Sequence, residues 1–374
     1  MHSQLFISKE NFKANLNIAR SVLEQNTKLC VSLKGDAYGH GLRELITPAV
    51  ESGVDYIGIC TNEEAEIAAH SIEESSREVA IIRLRPTFYE EAEELMAKKI
   101  QIEEMLGSWE QALRLNRLGL KYQKKIAVHI NLDSGMGRAG FYFKREEQRK
   151  QLLELPELPG IKVRGIMSHF PRAEEQELAR TREALTRFKA AVAYLREQNS
   201  NYKETLVHAA SSALGIRVPD SHLDMVRFGA VIYGSRLSKH VPKIEGIKAV
   251  MSWKTRVIKI SNLEAGASLG YGSYRTDEAL RIATLPLGYG DGYPRALSNK
   301  GYVLIQGEKC PIVGSICLNT MTVKVPQKVT LGDEVVLLGC QEDNCIEAEE
   351  LAAQFDSVHT EVQLAGVFNQ RQEE

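Results

Sequence analysis

The strongest constraint on this chain is a repeated alternation. Between Lys28 and about Gly234, eight short β-branched or apolar runs are separated by stretches of mostly helical character. The runs are KLCVSL (28–33), YIGIC (56–60), VAIIRL (79–84), QIEEML (101–106), KIAVHINL (125–132), VRGIMSHF (163–170), TLVHAA (205–210) and MVRFGAVIYG (225–234). Among the intervening stretches, 42–53, 62–75, 88–99 and 177–199 carry an apolar stripe at helical period, able to cover a sheet from outside. Strands that alternate with helices build parallel sheets, and eight such units predict an α/β fold with a TIM-type (β/α)8 barrel.

Beyond about residue 240 the helices drop out. AVMSWKTRVIKI, RIATLPL, GYVLIQG, MTVKV and EVVLLG follow one another through Gly and Pro turns, with one short helical stretch at 347–355. A second, mostly-β domain is expected, dividing the chain into 1–240 and 241–374. The length of 374 residues agrees, because single cores rarely grow beyond roughly 250–300 residues.

Composition excludes several classes of partner. Lys and Arg total 47 against 49 Asp and Glu, so a net charge of -2 offers no polycationic face to nucleic acid. No run approaches ~18 apolar residues, so no membrane span is expected. The N-terminal MHSQLFISKENFKANL has no basic segment followed by an apolar stretch, which makes a cytoplasmic location the expectation. The six cysteines (Cys30, Cys60, Cys310, Cys317, Cys340, Cys345) form no CxxC pair and no cluster at zinc spacing. Reduced thiols, and neither a metal nor a disulfide framework, are expected.

Active sites of such barrels form at the C-terminal ends of the strands. Lys34 follows the first run, Asp133 and Arg138 the fifth, His169 ends the sixth, and Ser211 and Ser212 follow the seventh. Lys34 opens KGDAYGHG (34–41), whose three glycines let the backbone pass close to a bulky group. Withdrawing a lysine from water disfavours its charged form, and the neutral amine is what Schiff-base formation requires. The pattern alone leaves open a lysine that extends its head to solvent.

KGDAYGHG (34–41), NLDSGMGRAG (131–140), SHF (168–170), HAASSA (208–213), LDMVRFGAVIYG (223–234), LGYGSY (269–274), LGYGDGYPRA (287–296) and PIVGSICLNT (311–320) occur in an order and spacing that resembles the alanine racemase family, over about residues 10 to 340. The resemblance implies a pyridoxal 5'-phosphate enzyme, a barrel plus a β domain assembled as a head-to-tail homodimer, and a small amino acid as substrate. Lys34 resembles the lysine that carries the cofactor covalently. Tyr38 and Ser212, with backbone at Gly229 and Ala230, resemble its phosphate site. Arg227 resembles the arginine at the pyridine nitrogen, His169 its hydrogen-bonding neighbour, and Arg138 the residue near the phenolic oxygen and the substrate. Leu318 and Asn319 match positions beside the substrate carboxylate and the entrance.

An arginine at the pyridine nitrogen has a physical rationale. Guanidinium has no acceptor and stays protonated, so it donates to an unprotonated ring nitrogen and leaves the cofactor a weaker electron sink. That suits an enzyme that only removes and returns one proton. From the residues alone, an ion pair with Asp224 remains the other role for Arg227. Racemisation also needs acid–base groups on both faces of Cα. The resemblance implies Lys34 on one face and Tyr271, from the partner's second domain, on the other. A phenol's ordinary pKa near ~10 means that such a base needs a neighbouring cation.

Three positions depart from the family pattern. Asn131 stands where many members have a carbamylated lysine, Leu318 and Asn319 replace the usual Met and Asp, and 358–368 lacks the tyrosine that narrows the pocket mouth. A wider, less acidic entrance is expected. The first reading is interconversion of L- and D-alanine; the alternative is the broad-specificity branch, acting also on serine, lysine or arginine. A basic amino-acid decarboxylase of the same architecture is the more distant alternative, disfavoured by Arg227.

Overall fold

The computed structural model describes residues 3–75, 77–271, 274–366 and 370–373. Strand Ser3–Ile7 (β1) and the helix Lys9–Ser21 precede the barrel. The barrel strands are Lys28–Ser32 (β2), Tyr56–Ile59 (β3), Ala80–Arg83 (β4), Glu104–Leu106 (β5), Ile126–Asn131 (β6), Ile161–Met167 (β7), Leu206–His208 (β8) and Met225–Phe228 (β9). They pair in the order β4-β3-β2-β9-β8-β7-β6-β5, all parallel. The ring closes between β4 and β5, where Arg83 N donates to Glu103 O (2.9 Å) and Glu103 N to Ile81 O (2.8 Å).

Side chains alternate along each strand, and the two sets separate as that period requires. Leu29, Val31, Ile57, Ile59, Val128 and Ile130 join the main core under the helices. The opposite set, Cys30, Tyr56, Ile82, Met105, Met167 and Met225, forms a separate cluster inside the ring. Among the covering helices are Leu42–Glu51, Asn62–Glu73, Tyr89–Ala97 and Ala179–Gln198, close to the four sequence stripes.

The second part of the chain holds Met251–Arg256 (β10), Lys259–Leu263 (β11), Leu280–Leu285 (β12), Tyr302–Ile305 (β13), Glu308–Pro311 (β14), Met321–Lys324 (β15), Glu334–Gln341 (β16), Asn344–Ile346 (β17) and Gln370–Glu373 (β18). One sheet runs β14-β13-β16-β10-β1-β18 with β17 on β16; a smaller one runs β11-β12-β15. The chain therefore starts in the second sheet, since β1 pairs antiparallel with β10 and parallel with β18. Trp253 Nε1 donates to Ser3 Oγ across this join (2.5 Å).

One cysteine expectation is corrected. Cys340 and Cys345 are disulfide-bonded, while Cys30, Cys60, Cys310 and Cys317 are free. The two lie directly opposite each other on the β16–β17 hairpin, with Cα atoms 4.0 Å apart. Their sequence separation of five is no disulfide signature; the hairpin register creates the proximity. No helix among the described residues is long and apolar enough to cross a membrane.

Candidate active site

A cavity of about 830 Å³ opens at the C-terminal mouth of the barrel, and Lys34, Tyr38, Arg138, His169, Ser212, Arg227, Gly229 and Ala230 all line it. Lys34 is half-buried and stands two residues after the end of β2. The segment after it takes a form that glycine content alone does not announce. Gly35, Asp36, Ala37 and Tyr38 are left-handed, with φ of 63°, 52°, 53° and 56°. Each non-glycine residue in that conformation costs roughly 1–2 kcal/mol, so the turn must be held from outside.

Glu64 does much of the holding. Its Oε1 accepts from Gly35 N (2.7 Å) and Asp36 N (3.3 Å), and its Oε2 from Cys60 N (2.7 Å) and Thr61 N (3.2 Å). One buried carboxylate thus ties the turn after β2 to the turn after β3. His40 closes the other side, its Nδ1 lying 3.0 Å from Ala37 O and 3.1 Å from Tyr38 O. Neither residue was singled out from the sequence for this role; Glu64 reads there as an ordinary helix-start acid.

The far wall is equally ordered. Ser212 Oγ accepts from Gly229 N (3.0 Å), and a Cβ at position 229 would sit 2.7 Å from Tyr38 Oη. Only glycine leaves that cradle open. Ser32 Oγ, also on the cavity, is buried and has no partner among the described residues.

Arg227 is buried, and the expected alternative, an ion pair with Asp224, does not form: Asp224 Oδ2 accepts from Val207 N (2.7 Å). Instead Arg227 Nη2 donates to Ser168 O (2.7 Å) and Nη1 to His208 Nδ1 (2.7 Å). His169, the neighbour implied by resemblance, lies farther, 3.5 Å from Nη2. The closer imidazole, His208, opens the HAASSA (208–213) motif, but the sequence gives it no role at Arg227. Asp133 shapes the loop leading to Arg138, its two oxygens accepting from Gly135 N and Gly137 N (both 2.8 Å). Asn131 Nδ2 donates to Ala139 O (2.6 Å), and its buried Oδ1 has no partner among the described residues.

Tyr271, Leu318 and Asn319 do not line this cavity. They lie together on the second domain, where Ser315 Oγ donates to Tyr271 O (2.8 Å) and Gly290 N to Leu318 O (2.8 Å). Tyr271 is 76 % exposed and Leu318 51 %. The cavity carries the carboxylates Glu174, Glu347, Glu349 and Glu350 together with the cations Arg236 and Lys239. The aromatic gap lies partly outside the described residues, which omit 367–369.

Burial sets the charge of the imidazoles around the site. His169 is pushed down to about 3 by burial and by Arg227, Arg138 and Lys34, and His40 to about 4, chiefly by burial. Both are neutral when folded and gain a proton on unfolding near ~6.5. Between about 6.5 and 4 the unfolded chain binds more protons, so stability is complete above that window and is lost as the pH falls through it. Each imidazole adds a slope of about 1.4 kcal/mol per pH unit there. Urea unfolding at pH 7 and pH 5 is expected to show a smaller acid loss in His40→Asn than in the unaltered chain; an equal loss contradicts this assignment.

Comparison with known proteins places this geometry. Residues 7–237 match the family model described as alanine racemase, N-terminal domain, and 250–370 that described as alanine racemase, C-terminal domain. A broad specificity amino-acid racemase of Vibrio vulnificus (strain CMCP6) is 35% identical, over 96% of this chain and 86% of its own. The alanine racemase of Clostridium difficile 630 superposes with a TM-score of 0.89 at 30% identity, covering 100% of this chain and 96% of the other. That of Bartonella henselae, solved with covalently bound pyridoxal phosphate, gives 0.85 at 25% identity, with 100% of both chains covered. Both halves of the chain match one lineage: the chain belongs to the alanine racemase family.

Proposed function

We propose that this chain is a pyridoxal-phosphate-dependent amino-acid racemase that interconverts L- and D-alanine, with Lys34 and the partner subunit's Tyr271 as its two bases. The carrying observation is the convergence of Lys34, Tyr38, Ser212, Gly229 and Arg227 on one cavity, while Tyr271 stands exposed on the other domain. The cradle at Gly229 and the unpartnered Ser32 hydroxyl fit a phosphate, and Lys34 and Arg227 fit the aldehyde and nitrogen ends of a pyridine ring. When bound, pyridoxal phosphate supplies the electron sink that acidifies the Cα–H of an attached amino acid.

The protein's residues do the rest. Lys34 Nζ takes or returns the proton on its side of Cα, held in place by the left-handed turn and Glu64. Arg227, pinned by Ser168 O and His208, would present a fixed donor to the pyridine nitrogen and favour its unprotonated form. Arg138, on the same cavity, would lie beside the substrate. The second proton needs a group on the opposite face, and the exposed strip of Tyr271, Tyr289 and Leu318 is the surface that a second copy would bring over the cavity. The functional form is then a homodimer.

A second reading, broad specificity, is favoured by the carboxylates on the cavity, Glu174 and Glu349 among them, which would receive a cationic side chain. Chiral chromatography of the protein with pyridoxal phosphate and, separately, L-alanine, L-serine, L-lysine and L-arginine tests both. Conversion of alanine alone supports the first reading, comparable conversion of lysine or arginine the second, and no conversion at all contradicts the racemase.

A further inference from the structure

A row of buried hydrogen bonds crosses the inside of the barrel, away from the cavity. Arg227 Nη1 lies 2.7 Å from His208 Nδ1, His208 Nε2 lies 2.8 Å from His129 Nδ1, and His129 Nε2 lies 2.5 Å from Glu103 Oε2. Arg227 sits on β9 at the cavity, His208 ends β8, His129 is on β6, and Glu103 immediately precedes β5, at the opposite mouth. His129 and His208 are fully buried. Gly165 on β7 makes the crossing possible, since a Cβ there would stand 2.2 Å from His129 Nδ1.

The proton positions follow from the donors. Guanidinium has only N–H groups, so His208 Nδ1 accepts. The proton of His208 is then on Nε2 and is donated to His129 Nδ1, which leaves the proton of His129 on Nε2, facing the carboxylate. Every bond points from Arg227 toward Glu103, so the two ring dipoles align head to tail and reinforce one another. Arg227 has no carboxylate within ion-pair distance among the described residues, although a buried charge requires compensation. Glu103 also faces Arg164, 3.3 Å from its Oε1.

We propose that Glu103 is a positioning residue for the reaction: from the far mouth of the barrel it orients the Arg227 guanidinium through two imidazoles locked as Nε2–H tautomers. This rests on the reading that Arg227 meets the pyridine nitrogen. His208 is held neutral by burial and by Arg227.

Two measurements on the full-length protein test it. Neutron diffraction on deuterated crystals is expected to place deuterium on Nε2, and none on Nδ1, of both His129 and His208; deuterium on either Nδ1 overturns the proposal without reference to any cofactor. In Glu103→Gln the amide oxygen still accepts from His129 but the charge is gone. Because the amide can also donate, the tautomers are no longer fixed, and with pyridoxal phosphate bound kcat is expected to fall about tenfold while KM for alanine stays within about twofold. An unchanged kcat with normal cofactor binding overturns this proposal alone, whereas absence of cofactor binding in the unaltered protein overturns it together with the reading of the site.

Discussion

Lys34→Ala is expected to lower racemisation by more than about 10⁴-fold in both directions, because the substitution removes one acid–base group and the cofactor's attachment point together. A positioned general acid or base by itself contributes about 10²–10⁴. The loss should appear equally from L- and D-alanine, and the absorbance of lysine-bound cofactor should vanish with it. The protein should stay folded: Lys34 is half-buried at a strand end, and the turn beyond it is held by Glu64 and His40 rather than by the lysine. Steady-state rates in both directions, with the absorbance spectrum, check this; a variant that racemises within tenfold of the unaltered protein contradicts the role of Lys34.

Tyr271→Phe is expected to cost about 10²–10⁴-fold, the range for one proton-transfer group, while leaving cofactor binding intact. Its signature is asymmetry. Each base serves one face of Cα, so removing the phenol should abolish deuterium uptake from solvent mainly for one enantiomer and spare the other. Because Tyr271 is 76 % exposed, loss of its hydroxyl should not alter folding of the single chain. Equal residual exchange from both enantiomers in deuterated water contradicts a two-base division.

Much of the fold was legible because it rests on period. The eight barrel runs alternate with helical stripes, and most strand boundaries lie close to their expected place, as for 125–132 against Ile126–Asn131; the last run, 225–234, is strand only over Met225–Phe228 and continues as a 3-10 turn at Ala230–Tyr233. The cavity residues were legible because barrel sites form at strand C-termini, where Lys34, His169 and Ser212 stand. What stayed hidden depends on tertiary contact. Nothing in Asp36-Ala37-Tyr38 favours positive φ, and the left-handed turn exists because Glu64, from the next βα unit, accepts from its amides. The pairing of Ser3–Ile7 with β10 joins segments about 250 residues apart. The disulfide follows from hairpin register. The imidazole row was half visible: His129 shares strand parity with Asn131, so an inward reading was available, but its partners come from other strands.

The dependence of one subunit on the other is tested most directly by mixing defects. Co-expressed Lys34→Ala and Tyr271→Phe chains, carrying different tags and purified as the mixed dimer, contain one doubly altered site and one intact site if Tyr271 acts across the interface. That dimer is expected to regain about half the activity of the unaltered enzyme, since one of its two sites is whole. Activity no higher than the residual rate of Tyr271→Phe alone would place both groups within a single chain, or outside the chemistry, and would contradict the shared site.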